Sequence, residues 1–209
     1  MRSVIIYGAS NPDVVKVLEE MMISNGPIFI QGFLDDTLQS GYFLTYPILG
    51  GREAVKELSD KHLFINNVAA STKARMTVQR YMAECRMMPV IWPRVNTRHI
   101  QFGAGVMIAE GVQFGAGVMI GSHCVVRMGT TICHEVILDD FVFVAPRATI
   151  CGRVKIGKGA YIGAGAVVRE NTVVGAGAVI GAGAVVVKDV PSGMTVVGNP
   201  AKLIQKNGR

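Results

Sequence analysis

Aromatic side chains and charge are both scarce in this sequence. Phe, Trp and Tyr make up 7% of the 209 residues and charged residues 17%, against roughly 25% charged in an average protein. Half the chain is nevertheless apolar, so that content is Val, Ile, Ala and Met. This excludes a disordered chain, which is charged and poor in branched aliphatics. No uninterrupted apolar run reaches the roughly 18 residues of a membrane span. The first ten residues lack the charged start, long apolar stretch and small-residue cleavage site of a signal peptide, so a cytoplasmic protein is expected. The four cysteines (Cys85, Cys124, Cys133, Cys151) form no C-x-x-C pair and read as reduced, mostly buried small residues. No G-x-G-x-x-G is present, which argues against a dinucleotide cofactor. The net charge is +6, without the basic stripe and interleaved aromatics of a nucleic-acid binder. Residues 191–209 carry Lys202, Lys206 and Arg209 and no acid, which suits either a small polyanionic ligand or solubility alone.

Glycine is abundant instead, and unevenly so. Of 25 glycines, 16 fall between Gly103 and Gly183, never in the every-third spacing of collagen. Stepping by six from Phe102 to Val186 gives fifteen residues, all large and apolar. Two residues earlier, from Ile100 to Ala184, the same step gives small or β-branched residues. Two inward positions spaced by two mark a short strand, because strand side chains alternate faces. Gly often follows the large residue, at 103, 115, 121, 157, 163, 175 and 181, and is expected there to supply corner backbone angles that other residues resist. Three faces of six residues make an eighteen-residue coil. Fifteen hexads therefore predict about five coils, stacked as parallel strands into a prism about 24 Å tall. Its narrow interior needs no aromatic core.

Residues 1–88 follow another rule. Apolar runs at Val4–Tyr7, Ile28–Leu34 and Leu63–Ile65 alternate with helix-like segments at 13–24, 52–60 and 72–85, which predicts a small parallel α/β domain, Rossmann-like in layout. The prism is expected over 89–190. A tail over 191–209 is expected to cap its open end.

Among four histidines, His62 and His99 read as structural or solvated. His123 and His134 fall at neither inward position and are expected to face outward. Glu135 follows His134, and a neighbouring carboxylate fixes an imidazole tautomer and raises its basicity. From the residues alone the pair suits either a general base near neutral pH or an ordinary solvated surface pair. Zinc chemistry would need three converging histidines, and the spacing of 11 between His123 and His134 matches neither face nor coil, so no metal is expected. Cys133 recurs one coil on as Cys151, so both read as stacked corner residues rather than nucleophiles.

Several segments together carry a family resemblance: Gly8-Ala9-Ser10, Gly32-Phe33-Leu34-Asp35-Asp36, Ile48-Leu49-Gly50-Gly51, Thr131-Ile132-Cys133-His134-Glu135, Val144-Ala145-Pro146 and Gly198-Asn199-Pro200-Ala201-Lys202. Over essentially its whole length the chain resembles the sialic acid O-acetyltransferase family and its relatives, the nucleotide-sugar N-acetyltransferases of bacterial glycan synthesis. That resemblance implies a left-handed parallel β-helix, a homotrimer, and acetyl-CoA as co-substrate held in the groove between adjacent prisms. It implies His134 as catalytic base supported by Glu135, with Phe143, Gly152, Ala164, Ala182 and Lys202 at the acetyl-CoA. It implies a nucleotide-linked amino sugar held by Gly8, Ala9, Ser10, Asn11, Asp35, Asp36 and Asn66. The family's usual Gly-His after Gly-Ala-Ser is replaced here by Asn11-Pro12. The implied reaction is N-acetylation of a nucleotide-linked amino-deoxysugar for O-antigen or other surface glycan. O-acetylation of a sialic-acid-type sugar, or a non-catalytic scaffold or sensor, are the alternatives.

Overall fold

The computed structural model describes residues 2–38, 40–68 and 71–204; Lys206 and Arg209 of the basic tail lie outside them. The chain forms two units, Met1–Pro93 and Arg94–Arg209.

In the first unit, β1 (Arg2–Tyr7), α1 (Asp13–Asn25), β2 (Ile28–Leu34), β3 (Tyr42–Phe43), β4 (Tyr46–Pro47), α2 (Val55–Leu58), β5 (Leu63–Asn66) and α3 (Thr72–Tyr81) follow one another. β1, β2 and β5 pair in parallel, in the order β2-β1-β5. Both faces of β1 are covered, so Val4, Ile5 and Ile6 are wholly buried, as parallel strands require. α1 buries Val14, Val17, Leu18 and Met21, one stripe at helical spacing. The Ser71 hydroxyl caps α3 by accepting from the Ala74 N–H at 3.1 Å, satisfying one of the unpaired donors of its first turn.

The second unit is a left-handed parallel β-helix. Two-residue strands pair with the strand eighteen residues on: Gln101 with Met119, Met119 with Ile137, Ile137 with Lys155 and Lys155 with Val173 on one face. The other two faces repeat this spacing. The large inward ladder is buried from Ile120 to Val186, as is the small ladder from Val106 to Ala184. Phe102 and Phe114 of the first coil are only half-buried and meet edge to face, with ring centroids 5.9 Å apart. Beyond the last coil, Thr195–Val197 pairs with Val179–Ile180, Val190 with Val174, and the Ala201 N–H donates to the Val185 carbonyl. Each face is thus continued beyond the last coil, two of them by the tail and one by Val190 just before it. Among the described residues no helix is long and apolar enough to cross a membrane.

The structure corrects one expectation about glycine. Those after the large inward residue do not supply a left-handed backbone. They supply space: a Cβ on Gly157 would stand 2.6 Å from the Ala176 nitrogen, and one on Gly121 2.6 Å from the Asp140 nitrogen. The left-handed position lies two residues further along each corner. It is often Gly too, but it also holds His99, His123, Glu135, Phe141, Arg147, Arg153 and Asn171, with φ between 57° and 62°.

Candidate active site

His134 and Glu135 occupy the corner after strand Thr131–Ile132. Glu135 takes the left-handed position, φ 57°, which turns its side chain back towards its neighbour. The His134 Nδ1 lies 3.0 Å from Glu135 Oε2. A carboxylate can only accept, so Nδ1 carries a proton, and in the neutral imidazole Nε2 presents its lone pair. The imidazole lies against Gly152, one coil on: a Cβ there would stand 2.6 Å from Nε2 and 2.7 Å from Cε1. Gly152 therefore seats the imidazole, a role that sequence reasoning missed. The coil period would have found it, because 134 plus one coil of eighteen is 152. Both side chains are open in the single chain, 53% exposed for His134 and 62% for Glu135.

The remaining expected acetyl-CoA residues are spread around the prism. Phe143 points outward from its face, its ring stacked 5.2 Å from Tyr161. Ala164 and Ala182 are exposed and sit one above the other at the following corner, where the Gly183 N–H donates to the Ala164 carbonyl. Lys202 is exposed on a short strand antiparallel to Thr195–Val197. Within one chain, His134 and Gly152 lie at one corner and Ala164 and Ala182 at another, with the face carrying Thr149 and Val167 between them.

Cys133 and Cys151 stack one coil apart, both half-buried. Burial first, then the Cys133 thiol beside it, push the Cys151 thiol up, away from nucleophile chemistry at neutral pH. His123 faces outward but is packed, its ring stacked 4.8 Å from Phe141. His62 Nδ1 lies 2.8 Å from the Ser3 hydroxyl. Among the described residues no group of three or more His, Cys, Asp or Glu is placed to hold a metal ion.

In the first unit, the turn Gly8–Asn11 joins β1 to α1 at the carboxyl ends of the strands, where open parallel sheets bind ligands. Gly8 has φ 104°, and a Cβ on it would stand 3.0 Å from the Asn67 carbonyl carbon, so only Gly fits. The Ala9 N–H donates to Asp35 Oδ2 at 2.9 Å, and the Thr37 N–H and hydroxyl donate to Oδ1. Burial works to raise the Asp35 carboxyl, but the hydrogen bonds from Thr37 and Ala9 prevail and hold it below the usual range. Asp35 thus ties the turn to the end of β2. Asp36 Oδ1 accepts from the Tyr7 hydroxyl at 2.7 Å and the Arg52 N–H at 2.9 Å. Burial first, then the bond to Asp36, push the Tyr7 phenol far up. The Asn11 side chain accepts from the Asp13 N–H at 3.1 Å, starting α1.

Asn66 does not face this turn. Its amide donates to the Arg75 carbonyl at 2.9 Å and to Gln79 at 3.4 Å, which locks β5 to α3. The next residue, Asn67, is the one that grips the turn, donating to the carbonyls of Gly8 and Asn11, each at 2.9 Å. Strand alternation separates the two, since successive side chains point to opposite faces. Beside Asp36 a cavity of about 420 Å³ is lined by Arg52, Lys73, Thr77 and Tyr81.

Residues 135–170 and 153–188 match the family described as bacterial transferase hexapeptide (six repeats). No curated protein matches the sequence. Among solved structures, the chain is similar to the acetyltransferase domain of PglB from Neisseria gonorrhoeae FA1090 in complex with acetyl coenzyme A. Identity is 31% over 97% of this chain and 99% of that one, with TM-score 0.86. It is also similar to WeeI from Acinetobacter baumannii AYE, at 25% identity over 98% of this chain and 100% of that one, TM-score 0.86. PerB from Caulobacter crescentus, in complex with CoA and GDP-perosamine, shares the fold at 24% identity over 98% of each chain, TM-score 0.87.

Proposed function

The chain belongs to the nucleotide-sugar acyltransferase family of hexapeptide-repeat enzymes, and from that premise we propose that it moves the acetyl group of acetyl-CoA onto the amino group of a nucleotide-linked amino-deoxysugar, for bacterial surface glycan. The observation that carries this reading is the His134–Glu135 pair, with Nδ1 held by the carboxylate and the imidazole seated on Gly152. Such a pair is a general base whose tautomer is already set. As the amine attacks the thioester carbonyl, His134 Nε2 takes its proton. The new C–N bond forms, the C–S bond breaks, and the imidazolium returns the proton to the departing CoA sulfur. No acyl-enzyme is needed, in keeping with the raised Cys151 thiol.

The openness of His134 and Glu135 in a single chain supports a homotrimer in which a neighbouring prism covers them. On one face Met119 and Ile137 lie in adjacent coils, with Val173 beyond Lys155, each of the three at least 37% exposed; such packing would bury this apolar surface. Acetyl-CoA would then lie in the inter-prism groove, along Phe143, Gly152, Ala164 and Ala182, with Lys202 at a phosphate. In the first unit the nucleotide would sit at Gly8, Ala9, Ser10 and Asn11, with Asp35 fixing the turn and Asp36 at the nucleoside; Asn66 would support from behind through α3. A cytoplasmic location gives access to acetyl-CoA.

Amino-sugar nucleotides screened with acetyl-CoA, read as free-thiol release, test this reading. Release with amine acceptors is expected. Release only with hydroxyl acceptors such as sialic-acid-type sugars, or with none, would overturn it. Sedimentation should give three times the chain mass of 22.3 kDa.

A further inference from the structure

The corner that carries Glu135 continues upward as a column of left-handed residues, one per coil. Arg153 stands one coil on and Asn171 two. The Arg153 N–H donates to the His134 carbonyl at 3.0 Å, so its backbone is tethered to that of the imidazole-bearing residue. Its Nε donates to Asn171 Oδ1 at 2.8 Å, which aims the guanidinium back down the column. One terminal nitrogen then reaches Glu135 Oε2 at 3.9 Å, the same oxygen that accepts from His134 Nδ1. Four side chains from three successive coils thus form one line: Asn171, Arg153, Glu135, His134.

We infer that Arg153 is a positioning residue for the acetyl transfer, holding the Glu135 carboxylate on His134 Nδ1, and that Asn171 orients Arg153. This rests on the reading of His134 as the base. An exposed ion pair of this kind contributes little to stability in water, because solvent screens it and two long side chains must be ordered. Its value lies in geometry. A carboxylate on a flexible stem is held to the imidazole more firmly when a second group also draws that same oxygen into place. Once a neighbouring chain excludes water, the guanidinium charge acts on Glu135 through a lower dielectric and more strongly. Arginine suits the place better than lysine, because one planar group offers Nε to Asn171 and a terminal nitrogen to Glu135 at once.

The test compares Arg153→Met, Arg153→Lys, Glu135→Gln, the Arg153→Met/Glu135→Gln double variant and His134→Ala by steady-state kinetics. Arg153→Met should lower kcat by on the order of ten-fold, part of the roughly 10²–10⁴-fold of a whole general base. KM for acetyl-CoA and the melting temperature should stay unchanged. Arg153→Lys should recover part of the loss. In the Glu135→Gln background Arg153→Met should have no further effect, since residues acting as a unit are not additive. Asn171→Gly, which keeps the left-handed backbone and removes the acceptor, should give a smaller fall in kcat. A raised KM for acetyl-CoA with additive losses would make Arg153 a CoA contact and overturn the inference. Unchanged kcat in Arg153→Met beside a dead His134→Ala would overturn it alone. A fully active His134→Ala would overturn both it and the base.

Discussion

At the corner bearing His134, the left-handed position of successive coils holds His99, Gly117, Glu135, Arg153 and Asn171; at the corner bearing Ala164 it holds Gly111, Gly129, Arg147, Gly165 and Gly183. The backbone is the same in both columns, because the eighteen-residue repeat imposes it. A side chain at that φ costs on the order of 1 kcal/mol or more relative to glycine. One column accepts this cost at four of five coils and the other at one. The difference teaches that in a repeat fold the non-glycine corner residue is the informative one. Where the backbone asks for glycine and the sequence supplies Glu, Arg and Asn in consecutive coils, the side chains are there for what they do together.

The largest effect that separates the columns should come from Gly152→Ala. Its Cβ would collide with the His134 imidazole, so kcat should fall by on the order of 10²-fold or more, the scale of a displaced base, while the melting temperature changes little. Steady-state thiol release beside a thermal melt checks both halves.

Next comes the contrast between the two kinds of corner glycine. A Cβ on Gly157 would press on the backbone of the next coil, 2.6 Å from the Ala176 nitrogen. Gly157→Ala should destabilise by about 3 kcal/mol, the upper range of overpacking costs. Gly177→Ala, left-handed at φ 64° but with open space around the added atom, should lose only about 1 kcal/mol. Denaturant midpoints of the two variants measure the gap, and equal losses would break the distinction.

The smallest effect belongs to the first unit. Hydrogen bonds hold the Asp35 carboxyl low in the folded chain. A depressed carboxylate contributes stability above its unfolded value, near 3.9, and loses it as pH falls through the folded one. Asp35→Asn should therefore reduce stability at neutral pH and flatten its dependence on pH below about 4. Urea unfolding at a series of pH values reads this out.

Much of the fold is legible from two ladders of residues. A six-residue step picks out inward positions that are buried almost throughout, failing only at the first coil, at Ile100, Phe102 and Phe114. The His134–Glu135 pair is legible for a local reason, since the two residues are adjacent in sequence. Arg153 and Asn171 are not, nor is the imidazole-seating role of Gly152, which the sequence marks only as an acetyl-CoA position, because their partners lie one and two coils away. They become visible once eighteen is added to 134 and 135. Asn67 escaped for a similar reason. The strand Leu63–Asn66 identifies the neighbourhood, but only the observed register shows which of two adjacent amides meets the Gly8–Asn11 turn.

The most direct measurement is turnover of His134→Ala with acetyl-CoA and an amine acceptor that the unaltered enzyme uses. Circular dichroism and sedimentation should match the unaltered protein, because the imidazole faces outward and supports no core. Thiol release should fall by roughly 10²–10⁴-fold, the share of a general base. Turnover within a few-fold of the unaltered enzyme would contradict the account, which makes His134 the base.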